Sequence, residues 1–123
     1  MVARFVDDED PGLRDLVASG LYNKGVALGL LDREEDSIAA YDELSARLGD
    51  DKGPGVREQV AKGLYNKGVA LGLLNREEES KAIYDELLDR FGDYEEPVVR
   101  EQVASGLYNT GVALGLLARV ERS

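Results

Sequence analysis

The chain has 123 residues and a mass of 13.4 kDa, enough for one domain with a modest core. Its formal net charge is −10, which opposes binding to nucleic acid or to an anionic membrane and suits a basic partner. Cysteine and histidine are absent, which excludes disulfides, thiolate chemistry and the commonest general base and metal ligand.

In chain order, the first segment is Met1 to Asp10. Its apolar stretch is too short for a secretory signal, no run in the chain is long enough to span a bilayer, and the expected setting is cytoplasmic. The acids Asp7, Asp8, Glu9 and Asp10 lack the spacing and the glycine of a calcium loop. They fit the positive end of a helix dipole instead, so no metal and no cofactor are expected.

A first helix is predicted from Pro11 to about Leu31, because proline suits the opening turn. Asp32 with Glu35 three residues later reads as a capping box that starts a second helix. That helix is predicted to run to Leu48 and to stop at a left-handed Gly49. The same pair returns as Pro54 to Leu74, then Asn75 with Glu78, a helix to Phe91, and Gly92. A third long helix starts at Pro97. Ala118 replaces the capping residue there, so this helix is expected to run on towards Glu121.

The pattern is a tandem repeat. Residues Leu21 to Leu31 recur unchanged at Leu64 to Leu74, and again at Leu107 to Leu117 with Thr110 in place of lysine; the tyrosines Tyr22, Tyr65 and Tyr108 stand 43 residues apart. Arg4, Phe5 and Asp7 match Arg90, Phe91 and Asp93 two periods later. The organisation is therefore residues 1–10 as the tail of a preceding repeat, 11–53 and 54–96 as two repeats, and 97–123 as half of a third, together one domain. The expected fold is all-α, a right-handed helix-turn-helix solenoid of about five helices in the order A-B-A-B-A.

Helical spacing predicts the core faces. In the first helices Val60, Leu64, Gly68, Leu71 and Leu74 share a side; in the second, Ala82, Tyr84, Leu87 and Phe91 do, matching Ala39, Tyr41, Leu44 and Leu48. The pairs Gly25/Gly29, Gly68/Gly72 and Gly111/Gly115 lie in helix interiors, where each glycine costs about 1 kcal/mol against alanine. Close backbone-to-backbone approach of helices is the expected reason. Tyr22, Tyr65 and Tyr108 are expected to be half-buried with a wet hydroxyl.

On these residues the chain resembles the tetratricopeptide repeat family. Leu21, Gly25, Leu28, Ser37 and Tyr41 fall at that family's spacing, as do Leu64, Gly68, Leu71, Ser80 and Tyr84, and then Leu107, Gly111 and Leu114. The departures are leucine for the usual tryptophan, lysine or threonine before the glycine, Gly49 and Gly92 where proline is typical, and 43 residues per unit against about 34. The extra residues are placed at the start of the first helix, such as Val56 to Lys62. Sel1-like repeats are the nearest rival; HEAT and armadillo repeats share the period but lack this glycine and tyrosine pattern.

The resemblance implies a scaffold that binds a peptide or protein segment in a concave groove lined by the first helices. The corresponding stripe is Lys62, Asn66, Val69 and Leu73, with copies Ser19, Asn23, Val26, Leu30 and Ser105, Asn109, Val112, Leu116. In the family an asparagine there often bonds the backbone of a bound peptide. Two readings of Asn23, Asn66 and Asn109 stand: they hold a ligand, or they tie neighbouring repeats together. Lys24 and Lys67 either meet acidic groups of a ligand or are solvated and paired within the scaffold. No arrangement sets two carboxylates across a pocket, so no enzyme is expected. The third long helix has no second-helix partner, which leaves Leu107, Gly111, Leu114 and Leu117 uncovered and implies a homo-oligomer, a dimer or a head-to-tail stack.

Overall fold

A computed structural model describes residues 10–122, with side chains described as far as Gly111. It contains five helices: α1 (Pro11–Leu30), α2 (Glu34–Leu48), α3 (Pro54–Leu73), α4 (Glu77–Phe91) and α5 (Pro97–Arg122). No strand occurs among the described residues. The segment Asp7 to Glu9, and the matches at Arg4 and Phe5, lie outside them.

Each helix packs on the next. In addition α1 lies against α3, and α3 against α5, whereas α2 and α4 do not approach each other backbone to backbone. The chain is therefore a helical solenoid with a close row of first helices and a splayed row of second helices. Long side chains bridge the second row: Arg90 donates to the Gly49 carbonyl at 2.6 Å, and Arg76 pairs with Glu35 at 3.3 Å.

The core sits where α2, α3 and α4 meet. Leu44, Val56, Val60, Leu64 and Leu87 are buried there, with Phe91 and Val99 extending the cluster to α5. The predicted face of α3 is borne out at Val60, Leu64, Gly68 and Leu71, with Leu74 half-buried. Ala39 and Ala82 are a correction, since both are exposed. Ser37, Tyr41, Leu44 and Leu48 follow one stripe of α2, and a residue two places from Ser37 points to the opposite side. Ala40 takes the buried place instead.

The prolines open α1, α3 and α5 as expected. Asp10 caps α1, its Oδ1 accepting from the Gly12 N–H at 2.9 Å. The other terminal signals need correction. Asp32 and Asn75 do not begin the second helices. They adopt φ of 59° and 60° and close the first helices in Schellman turns, with Arg33 N–H donating to the Leu28 carbonyl at 2.9 Å and Asp32 N–H to Gly29 at 3.0 Å. Aspartate and asparagine tolerate this left-handed position better than most residues. The second helices start one residue later, after Arg33 and Arg76, with no side-chain cap.

Gly49 and Gly92 are right-handed, with φ of −62° and −61°. Their requirement is space: a Cβ on Gly92 would stand 2.5 Å from the Leu88 carbonyl oxygen, and one on Gly49 would collide with that of Ser45. At the far end, α5 has alanine in place of the left-handed residue and continues for 26 residues to Arg122.

Candidate functional site

The first helices carry Asn, Val and Leu at spacings of three and four, which places them on one stripe of each helix. Packing α1 beside α3 brings two stripes together. Val26 and Leu30 from α1 and Asn66, Val69 and Leu73 from α3 line a groove of about 200 Å³, with Ser37 and Tyr41 of α2 at its base and Glu34 at its rim. Leu30 is 80% exposed and Leu73 is 66% exposed. Two large apolar side chains therefore stand exposed beside the groove.

The asparagines are tied to the scaffold. Asn66 Nδ2 donates to the hydroxyls of Tyr22 at 3.4 Å and Tyr41 at 3.2 Å, both in the preceding repeat. Asn109 repeats the arrangement with Tyr65 and Tyr84, each at 3.1 Å. The tyrosine pairs lie tilted with ring centroids 6.2 and 5.9 Å apart, so one amide pins two neighbouring phenols. Tyr22 and Tyr65 are half-buried as predicted, but their hydroxyls bond to this amide. Asn23 is exposed and has no such tie among the described residues. Oδ1 of Asn66 accepts no bond among the described residues.

Burial holds the Tyr41 and Tyr84 phenols above the usual tyrosine value of 10.0, opposed in part by the bonds from Asn66 and Asn109. Beneath each ring lies a first-helix glycine. A Cβ on Gly25 would collide with the Cε1–Cζ edge of the Tyr41 ring, and one on Gly68 with the same edge of the Tyr84 ring. The serine one turn earlier secures the same contact: Ser37 Oγ donates to the Gly25 carbonyl and Ser80 Oγ to the Gly68 carbonyl, each at 2.7 Å. The close approach predicted from these glycines is therefore ring against backbone, not backbone against backbone. Gly29 and Gly72 are different: a Cβ on either would meet only a serine Oγ, at an ordinary 3.6 and 3.9 Å.

Of the predicted lysines, Lys62 lies over the Tyr22 ring, 4.5 Å from its centroid. Lys67 turns towards the second helices and pairs with Asp42 at 2.5 Å, beside a separate pocket between α2 and α4 that Arg76 and Glu79 also line. Lys24 is exposed. None of these three lines the groove. The side chain of Val112 lies outside the described residues. Spacing does not find Glu34, Ser37 and Tyr41 as groove residues, because the period locates them on the second helix and says nothing of which crevice they floor.

On α5, Leu107 is 50% and Tyr108 74% exposed, and no described atom lies within 4 Å of where a Cβ on Gly111 would stand. The side chains of Leu114 and Leu117 lie outside the described residues. Among the described residues no group of acidic side chains is placed to hold a metal ion, and no helix is long and apolar enough to cross a membrane.

The chain matches no protein-family model, no curated protein and no solved structure.

Proposed function

We propose that this chain is a tetratricopeptide-like interaction scaffold, not an enzyme, that holds a peptide or protein segment along the row of first helices. The observation that carries the reading is the pair of exposed leucines, Leu30 and Leu73, flanking a groove already shaped by Val26, Asn66 and Val69. Burying such side chains contributes about 1.5–3 kcal/mol each. The groove's rim carries Glu34, next to Glu35 and Asp36 in the first turn of α2, and the whole chain is acidic. The segment that fits has leucine-sized apolar residues beside lysine or arginine. The cytoplasm suits such a scaffold, since a chain without cysteine folds without oxidation.

Fluorescence anisotropy tests this directly. A dye-labelled peptide of leucines and lysines should bind, and its acidic counterpart should not. The double variant Leu30→Ser with Leu73→Ser should weaken binding about tenfold or more while leaving the fold intact. Equal affinity for the variant and the parent chain would sink the proposal.

A second reading, self-association, rests on the exposed Leu107 and Tyr108 of α5. Light scattering across a concentration series decides it: a mass of 13.4 kDa throughout removes the reading, and a rising mass supports it.

A further inference from the structure

The same helix surface occurs three times in this chain and is covered twice. On α1 the surface around Ala18 and Gly25 lies under α2; on α3 the surface around Ala61 and Gly68 lies under α4. On α5 the equivalent Ala104, Leu107 and Gly111 are exposed. What covers the first two copies is the same in kind: a tyrosine ring seated on the glycine backbone, and a serine four residues before it donating to that glycine's carbonyl at 2.7 Å. The fit is specific, since any Cβ at the glycine occupies the space of the ring.

We propose that the open side of α5 is a socket for an amphipathic helix built like α4, with serine and tyrosine four residues apart and a leucine three residues further on. The tyrosine seats on Gly111, the serine hydroxyl donates to the Gly111 carbonyl, and the leucine turns to Ala104, whose counterparts Ala18 and Ala61 share the buried cluster with Leu44 and Leu87; Gly106 is outside the socket, since Leu87 and Tyr84 of α4 already pack on it. The partner is a helix in hairpin-like packing, continuing the α1–α2 and α3–α4 interfaces. This rests on the reading of α5 as an association surface and names what that surface takes.

The probe is the chain's own sequence from Asn75 to Asp93, added as a labelled peptide to the full chain. A short isolated helix is marginal in water, so Lys81 and Asp85, an exposed pair at 2.8 Å, are joined as a lactam to hold it helical. Saturable binding below about 1 mM is expected. Gly111→Leu in the chain, or Tyr84→Ala in the peptide, should each weaken it about tenfold or more. The Leu30→Ser and Leu73→Ser variant should bind the peptide normally. Absence of saturable binding, or binding indifferent to both Gly111→Leu and Tyr84→Ala, overturns the proposal. A chain that stays monomeric alone yet binds the peptide refutes self-association and leaves the socket standing. A chain that self-associates but is not displaced by the peptide supports self-association and refutes the socket.

Discussion

The Tyr41 ring lies on the backbone of Gly25 so closely that a Cβ there would collide with its Cε1–Cζ edge. Tyr84 stands on Gly68 in the same way, whereas a Cβ on Gly72 would meet only Ser80 Oγ, at an ordinary 3.9 Å. Two glycines one turn apart on one helix therefore predict opposite outcomes. Gly68→Ala adds a methyl to a filled site, an overpacking cost of about 3 kcal/mol, against which helix propensity returns about 1. We expect a net loss of about 2 kcal/mol. Gly72→Ala meets no such obstacle and should stabilise by up to about 1 kcal/mol. Urea unfolding of the two variants, read by circular dichroism, checks the sign of each.

How much of this is legible in the sequence depends on whether a residue answers to local or to distant structure. Pro11, Pro54 and Pro97 mark helix starts because proline's effect is local, and the 43-residue spacing of the tyrosines reveals the repeat without any knowledge of packing. The glycines announce close contact but not its partner, because Gly25 meets Tyr41 across a turn that spacing alone does not orient. The turn itself is ambiguous. Asp32 followed by Glu35 satisfies the capping-box pattern, yet the Schellman closure on Leu28 and Gly29 takes Asp32 as its left-handed residue. Aspartate suits both positions, so composition does not separate them. In the groove, Val26, Asn66 and Val69 follow from the stripe repeated on the first helices, while Glu34 and Tyr41 arrive from a second helix.

The left-handed residues carry their own prediction. Asp32 and Asn75 hold φ near 60°, which glycine adopts without a Cβ penalty. Asp32→Gly and Asn75→Gly should each stabilise by about 0.5 kcal/mol, the relief being partly offset by the glycine's greater freedom when unfolded. Asp32→Val, β-branched at the same angle, should destabilise by about 1–2 kcal/mol. Thermal melts of the three variants order them: glycine above parent, valine below.

Stability should also fall in alkali. The folded chain holds the Tyr41 and Tyr84 protons more tightly than the unfolded chain does, because burial disfavours both phenolates. Between the unfolded value near 10 and the raised folded value, the native state binds more protons, so stability declines as pH rises through that window. Below about pH 10 the contribution is fully present. Absorbance at the phenolate band should show a late ionising component that disappears in the Tyr41→Phe, Tyr84→Phe double variant. If that component ionises at the ordinary tyrosine value while the chain is folded, the burial of these phenols is refuted.

Asn66 decides between the two roles that an asparagine on the inner row can play. Its Nδ2 bonds Tyr22 at 3.4 Å and Tyr41 at 3.2 Å, and a net contribution of about 1 kcal/mol per bond is ordinary. Alanine recovers some helix propensity but leaves the hydroxyl of the buried Tyr41 without this donor, so Asn66→Ala should cost about 1–2 kcal/mol with no ligand present. A purely ligand-reading asparagine would cost nothing. A double-mutant cycle with Tyr41→Phe separates the terms: a coupling of about 1 kcal/mol shows that the amide ties the repeats. Peptide affinity is then measured on Asn66→Asp, which keeps an oxygen at the groove and removes the donor. Retained affinity with lowered stability would assign Nδ2 to the scaffold and Oδ1 to the ligand. Loss of neither would show that the amide bonds contribute nothing to the fold or to binding.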